Sequence, residues 1–431
     1  MILIYHILLT LVFFLALPVL PLVYLLSEKR RANLLQRLGI CTGFGEKRSG
    51  TFRIWVHALS VGEVRSALPF VHALKKKRPG AQIVFTVSTK TGFETARQLF
   101  GTDNGVPVTL GYFPFDFWVS VLRVCQVVEP DLVCLIETDC WPGFLHHMKR
   151  KKIPVVLINA RLSTRSLNGY LRLKGFSALF FSNLSHIMAQ TPLDAQRFKQ
   201  IGVGESKLSI MGNIKFDQPL IHLDESAVLN LKARFGIRDQ DLVFIAGSTH
   251  EGEETILLEA FALVKKNFPN LKLILAPRDP NRSEKLMGQI ASSLHPVVLL
   301  SQLTNDSGHP DIILIDSMGL LATAYAICDI AFIGGSLIPL GGHNPLEPAL
   351  FAKPILLGPH MTDFLEVSDL LVAAKGALQL ESAFQIHNYL EEVLGNYGLA
   401  KQMGAASFQV FSENTGAVAR TLKKMEDLGF V

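Results

Sequence analysis

In the stretch 334–349, GGSLIPLGGHNPLEPA, two double glycines bracket an apolar step and lead into Asn344, Pro345, Leu346 and Glu347. Glycine lets backbone N–H groups approach a ligand closely, and proline at a first helical position sacrifices no hydrogen bond. The free amides and positive dipole end of a helix starting there favour an anion such as a nucleotide phosphate. A carboxylate one turn in, at Glu347, suits ribose hydroxyls. A tight strand-to-helix turn with a capping glutamate is the plainer reading, and the clustering of His343, Asn344 and Glu347 argues against it.

Other junctions carry reactive groups. In HALSVGE, 57–63, Glu63 follows an apolar run and opens a helix, so it can serve as a general base or as an ordinary cap. LIETDCWP, 135–142, sends a second apolar run into Glu137 and Asp139. Paired acids invite a metal or glycosidase reading, but no further Asp, Glu or His at ligand spacing supports a metal. Glu137 can equally hold nearby backbone or a catalytic cation. NARLS, 159–163, and GNIKFD, 212–217, each place one cation after a strand. Lys215 of the latter stands where charge developing on a leaving phosphate can be neutralised, although a lone loop lysine is more often merely solvated. GSTHEGEE, 247–254, reads as an anion-binding turn, yet lacks both the GK[ST] of a P-loop and the spacing of GxGxxG. Hydrolysis of a nucleotide and hydride transfer therefore lose support. Pro277 and Arg278, then Met318, Gly319 and Leu320, end two further strands of the same half.

The elements that position these groups alternate. Apolar runs at 52–60, 82–89, 108–112, 132–136, 154–159, 187–190 and 208–211 read as strands with helices between them. A second series follows at 242–248, 271–277, 296–301, 311–316, 330–335 and 354–358. Short apolar strands alternating with helices predict parallel sheets covered on both faces. The fold class is α/β, with two Rossmann-like domains facing a cleft, 28–217 and 218–431. The last helix, near 416–428, could pack back on the first domain. Open sheets bind ligands at the carboxyl ends of their strands, which is where the motifs fall.

The 431 residues exceed one ordinary core. A hydrophobic content of 49% and a mean hydropathy of +0.30 owe much to 2–26, which carries no formal charge. That run is long enough to cross roughly 30 Å of hydrocarbon, so 1–27 is expected to be an N-terminal membrane anchor helix. Pro18 and Pro21 leave a shallow or re-entrant anchor open, while the lack of a basic n-region argues against a cleaved signal. Lys29, Arg30, Arg31 and Arg37 follow the run, which puts the rest of the chain on the cytoplasmic side. Between 27 and 80 stand twelve Lys or Arg against three Glu, a local charge of +9 in a chain of +5. Such a front half suits an anionic membrane surface or lipid substrate. Nucleic acid is a poorer partner and is not expected, since no basic, aromatic-interleaved motif or recognised binding module is present. Five cysteines without a CxxC pair fit a reducing compartment, with no disulfide framework and no zinc site.

Eight motifs in series, HALSVGE, IETDCWP, NARLS, GNIKFD, GSTHEGEE, PRDPNR, DSMGLL and GGSLIPLGGHNPLEPA, resemble those of the 3-deoxy-D-manno-octulosonic acid (Kdo) transferases of lipopolysaccharide synthesis. The likeness spans nearly the whole chain. It implies a GT-B glycosyltransferase that takes CMP-Kdo as donor and a lipid A precursor as acceptor at the cytoplasmic face of a bacterial inner membrane. CMP-Kdo is then a co-substrate, with no cofactor and no metal expected. By the resemblance Glu63 is the proton acceptor, and Glu137 and Lys215 stabilise the transition state. Pro277, Arg278, Met318, Gly319, Leu320, Asn344, Pro345, Leu346 and Glu347 match the CMP-binding segments. Leu320 stands where the family commonly has an acid, which leaves a backbone contact there, and Asp139 replaces a common Glu. Two other readings stay open: a GT-B enzyme using another nucleotide sugar, separable by a donor screen, and a membrane-anchored nucleotide-sugar binder without catalysis, which would have no use for Glu63. The oligomeric state and the number of Kdo units added are not legible in the sequence.

Overall fold

The computed structural model describes every residue except 1, 17–27, 41–42, 102–106, 138–139, 173, 218–220, 222, 291–294 and 305–307. The chain divides into two compact units, Met1–Asp217 with Thr415–Val431, and Gln218–Asn414. Thr415–Val431, which the sequence places in 218–431 with its helix free to pack back on the first domain, thus belongs to the first.

The first domain holds β1 (Arg53–Ala58), β2 (Gln82–Val87), β3 (Val108–Tyr112), β4 (Leu132–Ile136), β5 (Val155–Ala160), β6 (His186–Ala189) and β7 (Leu208–Ile210). They form one parallel sheet in the order β3-β2-β1-β4-β5-β6-β7. In β1, Ile54, Val56 and Ala58 enter one core cluster while Trp55 enters the other. Burial on both faces is what a parallel sheet demands, and each such apolar side chain contributes about 1.5–3 kcal/mol. His57 is also buried: its Nδ1 lies 3.0 Å from the Thr86 carbonyl and its ring stacks on Phe113. Connections on either side of β1 and β4 run in opposite directions along the sheet, so a crevice opens at their carboxyl ends.

The second domain holds β8 (Leu242–Thr249), β9 (Leu271–Pro277), β10 (Val297–Leu299), β11 (Ile312–Leu314), β12 (Ile330–Ile333), β13 (Ile355–Leu357) and β14 (Ala377–Gln379). Their order is β10-β11-β9-β8-β12-β13-β14, again all parallel. The reversal falls between β8 and β12. The edge strand β14 has no counterpart in the sequence reading, because three residues carry no periodicity to read.

The anchor expected over 1–27 needs correction. Its described helix is Ile2–Ala16, about 22 Å long at 1.5 Å per residue, and no helix among the described residues is long and apolar enough to cross a membrane. Residues 17–27 lie outside the described part. Tyr5 Oη donates to Asp116 Oδ2 at 2.6 Å, and Asp116 also accepts the Gly143 and Phe144 amides. The helix therefore leans on the start of the helix Pro142–Arg150, with Leu3, Leu8 and Leu15 exposed.

Candidate active site

In the first domain the candidate residues grow from the ends of β1 and β4. Ser60 caps the helix Val61–Lys77, and Glu63 in its first turn reaches back so that Oε2 accepts the Leu59 amide at 2.6 Å. Glu63 stands at the capping-box position but holds the amide one residue before the cap, and this pins the carboxylate beside the strand end, where it is 8% exposed. The plain structural role of Glu63 is therefore realised. Its immobilisation is also what a proton acceptor needs.

Glu137 directly follows β4 with φ of +61°, and its amide donates to the Ile158 carbonyl. Lys215 Nζ lies 3.2 Å from Glu137 Oε1, both side chains being mostly buried. The structure thus brings together an acid and a cation that stand 78 positions apart in sequence. Asp139 lies outside the described residues. Lys215 sits in a single 3-10 turn, Ile214–Phe216, whose N-cap Asn213 accepts the Lys215 amide at 3.0 Å.

In the second domain the candidate residues gather at four consecutive strand ends: β11, β9, β8 and β12. Pro277 closes β9, and the Arg278 amide donates to the Thr249 carbonyl at 2.9 Å. After β11, Met318 is 70% exposed, Gly319 has φ of +87°, and Leu320 caps the short helix Leu321–Ala324. After β12, Asn344 Oδ1 accepts the Leu346 amide, and Pro345 caps the helix Leu346–Leu350 with Glu347 in its first turn. Leu346 is fully buried, so it packs inward. That helix is only five residues long, which limits its dipole relative to what the sequence suggests. Burial pushes the Tyr325 hydroxyl up, and the Glu347 charge pushes it further.

Sequence reasoning missed the groups that hold these turns. By sequence GSTHEGEE reads as an anion-binding turn, but its fully buried Glu253 carboxylate is what the surrounding amides bind. Its carboxylate accepts the amides of Gly335 (2.7 Å), Ser336, Leu337 and His250 (3.0 Å each). His250 Nε2 lies 2.8 Å from His343 Nε2, with the rings stacked, and desolvation pushes the His250 pKa down. The glycines have a matching cause: a Cβ on Gly334 would meet the Ser248 carbonyl oxygen at 2.2 Å. In the first domain the missed groups are Asn159 and Asp217. Asp217 accepts the Gly416 amide at 2.5 Å and the Val418 amide, at the start of the C-terminal helix Ala417–Asp427. Burial raises its pKa, against the pull of these amides and of Arg420. An asparagine or aspartate two to four positions from a motif's cation is the one signal that could have marked them.

Residues 32–218 match the family model of the 3-deoxy-D-manno-octulosonic-acid transferase (kdotransferase). The chain is 36% identical over 371 residues to a 3-deoxy-D-manno-octulosonic acid transferase of Haemophilus influenzae, covering 86% of this chain and 85% of that protein. A protein of the same description from Bordetella pertussis is 30% identical over 381 residues, 87% of each chain. Among solved structures, the UDP-GlcNAc 2-epimerase of Neisseria meningitidis bound to UDP-GlcNAc superposes with a TM-score of 0.55 at 16% identity, over 86% of this chain and 100% of that one. At that identity the likeness speaks for the fold alone, which is GT-B.

Proposed function

Because the chain belongs to the 3-deoxy-D-manno-octulosonic-acid (Kdo) transferase family and is a glycosyltransferase, we propose that it moves Kdo from CMP-Kdo to a hydroxyl of a lipid A precursor at the cytoplasmic face of a bacterial inner membrane. The observation that carries the reading is the Glu137–Lys215 pair, a cation held on an acid at the carboxyl edge of the first sheet.

In this reading the acceptor hydroxyl gives its proton to Glu63 as its oxygen attacks the anomeric carbon. The bond from that carbon to the CMP phosphate breaks, and CMP departs with the electron pair, inverting the centre. Lys215 and Arg278 meet the negative charge that grows on phosphate, so the step needs no resident metal or cofactor. Glu137 keeps Lys215 from collapsing elsewhere. The turn 344–347 and the segments at 277–278 and 318–320 hold CMP. The basic first half of the chain, +9 over 27–80, suits the phosphates of a lipid acceptor.

The test is a transfer assay with CMP-Kdo and a tetra-acylated lipid A precursor, products being weighed by mass spectrometry. A gain of one or more Kdo masses is expected, and the number gained gives the number added. CMP binding without any product would move the assignment to another acceptor or donor, which a screen of UDP-sugars would then separate.

A further inference from the structure

The turn that carries Lys215 is three residues long, too short to hold itself. Lysine has a long, freely rotating stem, and fixing it on Glu137 costs about 2 kcal/mol of rotamer entropy. Something outside the turn must set its place, and the described contacts identify two ends.

At one end stands Asn159. Pairing between β5 and β6 slips between Leu157 and Ala160, and Asn159 lies inside that slip with φ of +58° at 1% exposure. A bulge of this kind re-aims one side chain, and here Oδ1 accepts the Ile214 amide at 3.0 Å. The Asn159 carbonyl accepts Gln190 Nε2 at 3.0 Å, and the Ala160 carbonyl accepts the Gln190 backbone amide. Glu137, at the end of the adjoining strand, has the same left-handed backbone. Two non-glycine residues in that region cost of order 1–3 kcal/mol each, and such strain concentrates where a side chain must be placed.

At the other end stands Asp217, whose carboxylate receives two amides at the start of the C-terminal helix. Arg420 of that helix donates to the Met211 carbonyl at 2.9 Å, and a Cβ on Gly212 would come within 2.6 Å of its guanidinium. The stretch 211–217 is thereby tied to β5 and to the tail of the chain.

We propose that Asn159 and Asp217 are positioning residues for Lys215, fixing the two ends of its turn so that the ammonium stays on Glu137. The proposal rests on the reading in which Lys215 meets the leaving phosphate. A displacement of about 1 Å in such a group costs up to about 100-fold in rate. Asn159 acts through its side-chain oxygen, and Asp217 through the helix it caps.

The experiment uses the full chain with three changes at the clamp and one at its target. Asn159→Gly keeps the left-handed backbone without strain and removes the whole side chain, so the Ile214 amide loses its acceptor. It should lower kcat about 10- to 100-fold with the KM for CMP-Kdo within about twofold, the protein still folding cooperatively at a somewhat lower melting temperature, as loss of a buried side chain requires. Asn159→Asp retains an acceptor and should recover most of the loss. Asp217→Asn should lower kcat several-fold. On a Lys215→Ala background both penalties should shrink below about twofold, because a positioning residue has nothing left to position. Full activity in Asn159→Gly, or an undiminished penalty on the Lys215→Ala background, overturns the clamp. If Lys215→Ala alone leaves turnover intact, the catalytic role of Lys215 falls instead. The clamp is then judged by the rate at which an amine reagent modifies Lys215, which must rise in Asn159→Gly and overturns the clamp if it does not.

Discussion

Glu253 Oε2 lies 2.7 Å from the Gly335 amide, joining the turn after β8 to the turn after β12 across 82 positions of chain. The two turns border the reversal point of the second sheet, so this carboxylate sets the floor on which the glycine-rich segment rests.

Replacing Glu253 by Gln puts an NH2 group against amides that need an acceptor. A buried group left unpaired in this way costs about 1–3 kcal/mol, and more where a charge is lost. Glu253→Gln should lower the melting temperature and weaken CMP binding at least about tenfold by calorimetry. Unchanged melting and affinity together would remove Glu253 from this role.

Glu63→Gln leaves an oxygen to accept the Leu59 amide, so the helix start survives. Turnover should fall about 100-fold or more with CMP binding retained, since only the proton acceptor is lost. Glu63→Ala should additionally cost about 1 kcal/mol of stability through the lost cap. Turnover in Glu63→Gln within a few-fold of the parent would leave Glu63 as a cap alone.

Met425 is fully buried in the first domain's core although it stands six positions from the end of the chain. Met425→Ala should cost about 2–5 kcal/mol in urea unfolding, as core truncations do. A loss below about 0.5 kcal/mol would show that the C-terminal helix is dispensable to that core.

His186, buried at the start of β6, has its pKa pushed down to about 4 by burial, with Lys424 and Lys207 adding to the effect. A histidine depressed when folded binds its proton more readily unfolded, so the stability it permits is complete above the unfolded pKa of 6.5. Stability is lost as pH falls from 6.5 toward 4, by at most about 3 kcal/mol. His186→Gln should flatten the melting temperature across that window, and an equal slope in both proteins would count against the assignment.

The strands were legible because burial on both faces writes near-continuous apolar runs, such as 132–136 and 271–277. The strand ends were legible too, since glycines, prolines and acids cluster where runs stop. Glu137 and Lys215 could each be named and, by the resemblance, given a shared role, but their contact was not legible: it depends on a turn after β7 folding back to β5. Glu253 could not be singled out, because a glutamate opening a helix looks the same whether it faces solvent or a ring of amides. The short β14 and the three-residue turn of Lys215 lie below the length at which a pattern repeats.

By itself the sequence determined the alternation of strand and helix, the two-domain division near Asp217, the motif residues and the family they resemble. These are local matters, fixed by hydrophobic period and by turn chemistry. Tertiary structure alone decided that Thr415–Val431 completes the first domain, that Asn159 reaches Ile214, and that Glu253 gathers four amides. Each of these joins groups distant in sequence through backbone hydrogen bonds, and a backbone amide carries no mark of its partner in the residue that bears it.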